Sequence, residues 1–303
     1  MRVVAALGGN ALLRRGEPAD AQTQRANVAR AVAPLARVAR EHELVVTHGN
    51  GPQVGLLALQ GEAYSGVPAY PLDVLGAESE GMVGYLLDQR LVGELPQRKV
   101  ATLLTQVIVD AADPAFAAPS KPIGPVYDRE QAQRLARERG FAIAPDGRSW
   151  RRVVPSPEPR RIVEIEPIRI LLEAGVIVIC AGGGGVPVIE AAGGGLIGVE
   201  AVIDKDLAAA LLARQLAADV LLLLTDVPNV ELDWGTARGR PLRAASAQQI
   251  RGLGLAAGSM GPKAEAAARF AEGGGRAVIA ATEQASDALS GEAGTQVGPR
   301  VQA

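Results

Sequence analysis

The 303-residue chain has one cysteine, Cys180, and two histidines, His42 and His48. A single cysteine excludes an intrachain disulfide and fits a reducing, cytoplasmic setting. So few sulfur and imidazole groups also argue against a His/Cys zinc site. Positive charge is not concentrated: the formal net charge is −2 and no basic run stands out. A nucleic-acid partner or a membrane-surface role is therefore unsupported. No apolar stretch reaches the roughly 18 residues of a membrane span. The opening MRVVAALGGN lacks the ordered regions of a signal peptide. A GxxxxGK[ST] run is missing, which excludes a P-loop NTPase, and the HRD and DFG signatures of protein kinases are missing too.

Lysine is scarce as well. Of the 31 basic residues only four are lysines: Lys99, Lys121, Lys205 and Lys263. Three of them stand in turns rich in Gly, Pro or Asp, namely SKPIGP, IDKDL and SMGPK. Arginine is a planar fork, whereas lysine is a compact point charge on a flexible stem. A chain that takes arginine for generic charge and lysine for such turns points to a local requirement there.

What is present is an ordinary globular balance, 48% hydrophobic and 21% charged. Apolar runs at 2–7, 43–47, 100–109, 176–181, 220–225 and 276–282 read as strands. Helices are expected at about 21–41, 76–95, 166–175, 205–217 and 262–272. The alternation predicts an α/β fold, a mainly parallel sheet covered on both faces. Ligands of such sheets lie beyond the carboxyl ends of the strands. Gly8-Gly9-Asn10, Gly49-Asn50-Gly51, Gly182 to Gly185 and Thr225-Asp226 all follow strands, so one sheet edge is the candidate site. Residues 112–160 interrupt the rhythm with eight of the twenty prolines, a polar helical run at 128–139 and the turn PDGRSW. An insertion of this kind reads as a lid carrying Lys121, although a long ordered crossover would look the same.

Two lysines defy helix electrostatics. Lys205 stands between Asp204 and Asp206 at the mouth of an apolar helix, and Lys263 follows Pro262, which suits a first helical position. Cations are disfavoured at helix N-termini. Both make sense if an anion such as a phosphoryl group shares the space. Surface pairing with Asp204, Asp206 and Glu265 is the bland alternative, worth about 0–1 kcal/mol per pair. His48, inside a candidate substrate turn, reads as positional, and Cys180 as a core residue at a strand end.

The stretches ALGGNALL, THGNGPQVG, GMVGYLL, SKPIGP, RRVVPSPEP, CAGGGGVPV, GVEAVIDKDLAAALLA, LLLLTDV, WGT and GSMGPK occur in that order. On these the chain resembles the carbamate kinases of the amino acid kinase family. The resemblance covers nearly the whole chain. It implies a single domain over 1–303, a three-layer αβα sandwich with an open sheet, and a small protruding subdomain at 112–160. It also implies a homodimer and phosphoryl transfer between ATP and carbamate, giving ADP and carbamoyl phosphate, with Mg²⁺ on the nucleotide. By motif match, Lys205 and Lys263 would contact the transferring group, Asp206 would hold both ammoniums, and Lys121 would close over the substrate. Gly8, Gly9, Asn10, Gly49, Asn50 and Gly51 would line the carbamate and phosphoryl pocket. Thr225, Asp226, Met260 and Gly261 would border the nucleotide, and no protein metal ligand is assigned.

Ala6-Leu7 stands where many relatives, such as acetylglutamate and aspartate kinases, carry a lysine; here the lysine is Lys205, beside the organising aspartate. Two places depart from the pattern. Pro228 to Glu231 replaces an acidic residue and a later tyrosine at the adenine wall, and Ser120 replaces a threonine. Rival readings are another small-acid kinase of the same fold and a non-catalytic nucleotide or carbamoyl-phosphate sensor. Asp204 carries the weakest expectation of the cluster, local charge balance or a water-mediated metal contact.

Overall fold

A computed structural model describes residues 1–14, 16–64, 66–236, 238–256 and 260–298. The chain opens with β1 (Arg2–Leu7), the single turn α1 (Gly9–Leu12), α2 (Ala21–Glu41), β2 (Glu43–His48), α3 (Gly51–Ala63) and α4 (Leu72–Glu94). Next come β3 (Val100–Thr102), β4 (Gln106–Ile108), β5 (Lys121–Tyr127), α5 (Arg129–Arg139), β6 (Ala142–Asp146), β7 (Ser149–Val154) and β8 (Arg161–Ile162). The middle of the chain supplies α6 (Ile165–Glu173), β9 (Ile177–Ile179), β10 (Val186–Glu190), β11 (Leu196–Gly198), α7 (Lys205–Gln215) and β12 (Val220–Thr225). The last third adds β13 (Val230–Leu232), β14 (Arg240–Leu242), β15 (Ala244–Ala245), α8 (Ala247–Gly252), α9 (Met260–Glu272), β16 (Arg276–Ala281), α10 (Ala285–Ser290) and β17 (Thr295–Val297).

The main sheet has eight strands in the order β15-β17-β16-β12-β1-β2-β9-β3. All its pairs are parallel except β16 with β17. Its strands are apolar at nearly every position because alternate side chains enter opposite layers. Val4, Ala6, Val45, Leu221 and Leu223 pack with α6, α7, α8 and α9 on one face. Val3, Ala5, Leu7, Val46, Leu222 and Leu224 pack with α2, α4 and α10 on the other. This is the expected three-layer sandwich. Cys180 is buried in the first of these cores, as anticipated.

The strands that precede the four suspected turns, β12, β1, β2 and β9, are consecutive neighbours and run parallel. Their carboxyl ends therefore lie side by side. A second sheet, β11-β10-β4-β8, and a separate antiparallel sheet, β5-β7-β6, complete the architecture with the hairpin β13-β14. The β5-β7-β6 sheet and α5 lie within residues 112–160.

Local structure corrects three expectations. The run 100–109 is not one strand: β3 belongs to the main sheet and β4 to the four-stranded sheet. The break is at Thr105, whose N–H leaves the strand ladder for the carboxylate of Glu80 on α4. Pro262 is the third residue of α9, not the first. The first turn of a helix has no intrahelical use for its N–H groups, so proline is tolerated there too. Gly51-Pro52 is the start of α3 rather than a plain turn.

Candidate active site

Asp204 caps α7, its carboxylate accepting the N–H groups of Asp206 and Leu207 at 2.9 and 3.3 Å. Its second oxygen accepts from the ammonium of Lys121, which opens β5. Asp204 thus caps the helix and also supplies the expected local charge balance, through Lys121. Lys205 is the first residue of α7 and is nearly buried. Its Nζ lies 2.6 Å from Oδ1 of Asp206, while Nζ of Lys263, arriving on α9, lies 3.2 Å from Oδ2. Two ammoniums thus share one carboxylate at the N-terminal ends of two helices.

The energetics follow from that sharing. Burial alone would raise the Asp206 pKa, but Lys205 and Lys263 outweigh it and hold the carboxyl well below its ordinary range. Lys205 is pulled below the usual lysine value, first by burial and also by Lys263, with Asp206 opposing. A single carboxylate cannot neutralise two buried cations. The remaining positive charge, together with the two helix dipoles, is suited to an anion.

The glycine turns close around this group. A Cβ on Gly49 would stand 3.1 Å from the amide nitrogen of Gly9 and 3.6 Å from Cε of Lys205, and one on Gly8 would stand 3.1 Å from the Leu224 carbonyl oxygen. Asn10 donates from Nδ2 to Asp226 at 2.8 Å, and Thr225 Oγ1 donates to the same carboxylate at 3.1 Å. Asn50 is buried and donates to Oγ of Ser79 at 2.8 Å. Gly51 starts α3 beside it. Met260 and Gly261 open α9 less than a turn before Lys263. The expected residues therefore stand at the ends of β5, β12, α1, α3, α7 and α9 and in the loops at Gly8, Gly49-Asn50 and Asp226. Gly258 and Ser259 of the GSMGPK motif lie outside the described residues.

The profile of the amino acid kinase family matches residues 1–281. Carbamate kinase from Haemophilus influenzae is 56% identical over 299 residues, covering 98% of this chain and 96% of that protein. The solved carbamate kinase of Giardia lamblia bound to citric acid superposes with a TM-score of 0.92 at 41% identity, covering 98% and 97% of the two chains. The same Giardia enzyme bound to AMP-PNP gives 0.88 at 41% identity, covering 98% of each chain. The chain belongs to the carbamate kinases of the amino acid kinase family.

Within this carbamate kinase scaffold, residues with no expected role hold the site loops. Glu80 of α4 is 1% exposed and accepts the N–H of Gly182 at 2.8 Å and that of Thr105 at 3.2 Å. Burial pushes its pKa up to about 8, against the pull of those hydrogen bonds. Its neighbour Ser79 holds the Asn50 amide. Ala181 adopts φ 51°, unusual for a residue with a Cβ. Thr105 accepts its N–H at 3.0 Å and Thr47 donates to its carbonyl at 2.7 Å, which holds this strained residue in place. Gly183, at φ 69°, packs so closely on Asn50 that a Cβ would stand 2.2 Å from the amide nitrogen. One signal for Glu80 was available in the sequence: with Val83, Leu87 and Leu91 it falls on the buried stripe of α4.

His48 is fully buried, and burial pushes its pKa down to about 4. Its Nδ1 lies 3.2 Å from the Gly49 carbonyl, and Lys205 further disfavours a second proton. At neutral pH it is an uncharged turn-holder, in keeping with a positional role.

Proposed function

We propose that the chain catalyses reversible transfer of a phosphoryl group between ATP and carbamate, with ADP and carbamoyl phosphate as the other pair. The observation that carries the reading is the Lys205–Asp206–Lys263 arrangement, two buried ammoniums on one carboxylate at two helix N-termini. In the direction of carbamoyl phosphate, a carbamate oxygen forms a bond to the γ-phosphorus while the bond from that phosphorus to the β,γ-bridging oxygen breaks. The electron pair leaves with ADP. The attacking oxygen is already anionic, so no general base is required, and buried His48 need not act as one. Catalysis is then positioning and charge neutralisation.

Lys205 and Lys263 contact the transferring group and Asp206 spaces them. Gly8, Gly9, Asn10, Gly49, Asn50 and Gly51 line the carbamate and phosphoryl pocket. Thr225, Asp226, Met260 and Gly261 border the nucleotide. Lys121 closes over the substrate as part of a lid formed by residues 112–160. Among the described residues no three His, Cys, Asp or Glu side chains cluster to hold a metal. The donor set fits Mg²⁺ carried by nucleotide phosphates and water, with Asp226 the partly exposed carboxylate at that strand end. When bound, the ion supplies charge neutralisation on the phosphate chain.

The filled lysine and aspartate positions disfavour a non-catalytic sensor, and the named relatives disfavour another small-acid kinase. Synthesis of ATP is the proposed working direction, the cytoplasm the proposed location and a homodimer the proposed assembly. Exposed Leu104, just beyond the edge strand β3, and exposed Tyr85 on α4 give apolar surface to a second copy. Among the described residues no helix is long and apolar enough to cross a membrane. The test is a coupled assay for ATP from carbamoyl phosphate, ADP and Mg²⁺. Binding of both substrates without ATP formation would overturn the proposal.

A further inference from the structure

Helix α3 begins in the candidate site at Gly51 and, one turn on, meets β5 backbone to backbone. A Cβ on Gly55 would stand 2.0 Å from Cα of Gly124 and 2.2 Å from its nitrogen. Gly124 sits at φ 69° within a register shift of β5, and its carbonyl accepts from Arg151 at 2.6 Å. Val54 and Ala58 of α3 and Leu72 and Leu75 of α4 pack there with Ile123 and Val154 of the β5-β7-β6 sheet. Farther along α3, Glu62 pairs with Arg139 and with Arg152. The cavity beside this seam is about 10 Å³, on the order of room for a single water. Lys121 lies three residues before Gly124 on the same strand and reaches Asp204.

We infer that Gly55 is a positioning residue: it sets the height of β5 over the site, and so the reach of Lys121. The inference rests on the proposed role of Lys121 in closing over substrate. Carbon atoms prefer separations of about 3.5–4.0 Å. A methyl group on Gly55 therefore obliges β5 to withdraw by on the order of 1.5 Å. Misplacement of about 1 Å at a reacting centre can cost about 100-fold in rate. No residue of the phosphoryl cluster itself is touched.

The experiment is a double-mutant cycle in the ATP-forming assay with Gly55→Ala, Lys121→Ala and the pair. Gly55→Ala is expected to lower kcat/KM for carbamoyl phosphate about 100-fold, with the ADP dissociation constant from calorimetry unchanged. The double variant is expected to fall within about threefold of Lys121→Ala alone, because both changes remove one contribution. Fully multiplicative losses, or loss of ADP binding, would overturn the inference. Gly61→Ala on the same helix, where a Cβ meets only the Ala69 Cβ at 3.7 Å, is the control expected to keep parental activity.

A second readout does not depend on activity. Spin labels on Arg148→Cys at the exposed β6–β7 turn and on Arg214→Cys of α7 report the lid-to-body distance. Native Cys180 is buried and its thiol is pushed up in pKa by burial, so it stays unlabelled. Gly55→Ala is expected to lengthen that distance, and an unchanged distance overturns the inference. If Lys121→Ala alone has parental activity, the role of Lys121 fails while the distance still judges the seam. If Gly55→Ala does not fold, Ala58→Leu drives a wedge into the same seam and takes both readouts in its place.

Discussion

Lys205 and Asp206 are adjacent in sequence and in contact, yet their removal has different consequences. In Lys205→Ala, Asp206 keeps the Lys263 ammonium at 3.2 Å, so no charge is left unpaired. The pair that remains is as buried as before, and the cost in stability is small. The transferring phosphoryl group loses one preorganised cation, a loss of the kind that costs about 100- to 1,000-fold in turnover, or roughly 3–4 kcal/mol. In Asp206→Ala, Lys205 and Lys263 are both stranded in a nearly dry site. Breaking a buried pair by removing one partner costs about 3–5 kcal/mol. Asp206→Ala should therefore lose both activity and stability, whereas Lys205→Ala should lose activity and keep its fold. Urea unfolding followed by circular dichroism, beside the coupled ATP-forming assay, measures both quantities on the same preparations. Turnover of Lys205→Ala within a few-fold of the parent would refute the catalytic assignment. Equal unfolding midpoints for the two variants would refute the shared-carboxylate argument.

Three further outcomes follow from the loops. Glu80→Leu leaves the Gly182 and Thr105 N–H groups without their acceptor, each costing about 1–3 kcal/mol; KM for carbamoyl phosphate should rise while that for ADP holds, as steady-state kinetics would show. Stability should also depend on pH through two buried groups. Folding raises Glu80 from 4.5 to about 8, so the native state binds the extra proton and stability falls as pH rises across that span. His48 is lowered from 6.5 to about 4, so the unfolded state binds the extra proton and stability rises with pH across that span. The two oppose each other below about pH 6.5, and above it the Glu80 loss stands alone; Glu80→Gln should flatten the slope between pH 6.5 and 8 in thermal melts, and an unchanged slope counts against the buried proton. Gly183→Ala should cost about 1–2 kcal/mol for a left-handed alanine and displace Asn50, seen as a lower melting temperature and a higher KM for carbamoyl phosphate.

Much of the fold was legible because the sandwich buries its strands on both faces. That burial demands the uninterrupted apolar runs seen at 2–7 and 220–225, and it separates them from the amphipathic helices. The candidate lysines were legible for the opposite reason: they violate a local rule, and a violation at a helix mouth is visible in a few residues. The split of 100–109 was not legible, because the group that breaks it, Glu80, comes from a helix 25 residues earlier. Glu80 itself reads as surface charge unless its place on the α4 stripe is noticed. The seam at Gly55 was hidden more deeply, since a glycine within a helix carries no mark of the strand it must admit.

From the sequence alone came the alternation of strand and helix, the sheet edge where the glycine turns end, and the lysines out of place. These are local consequences of periodicity, propensity and charge. That Asp206 serves two lysines, one of them 57 residues away, followed from the family resemblance; only the tertiary structure decided that Glu80 and Ser79 hold loops from three parts of the chain and that Gly55 bears on Gly124. Those relations join residues remote in sequence through a distance or a shared proton, and neither exists until the chain is folded.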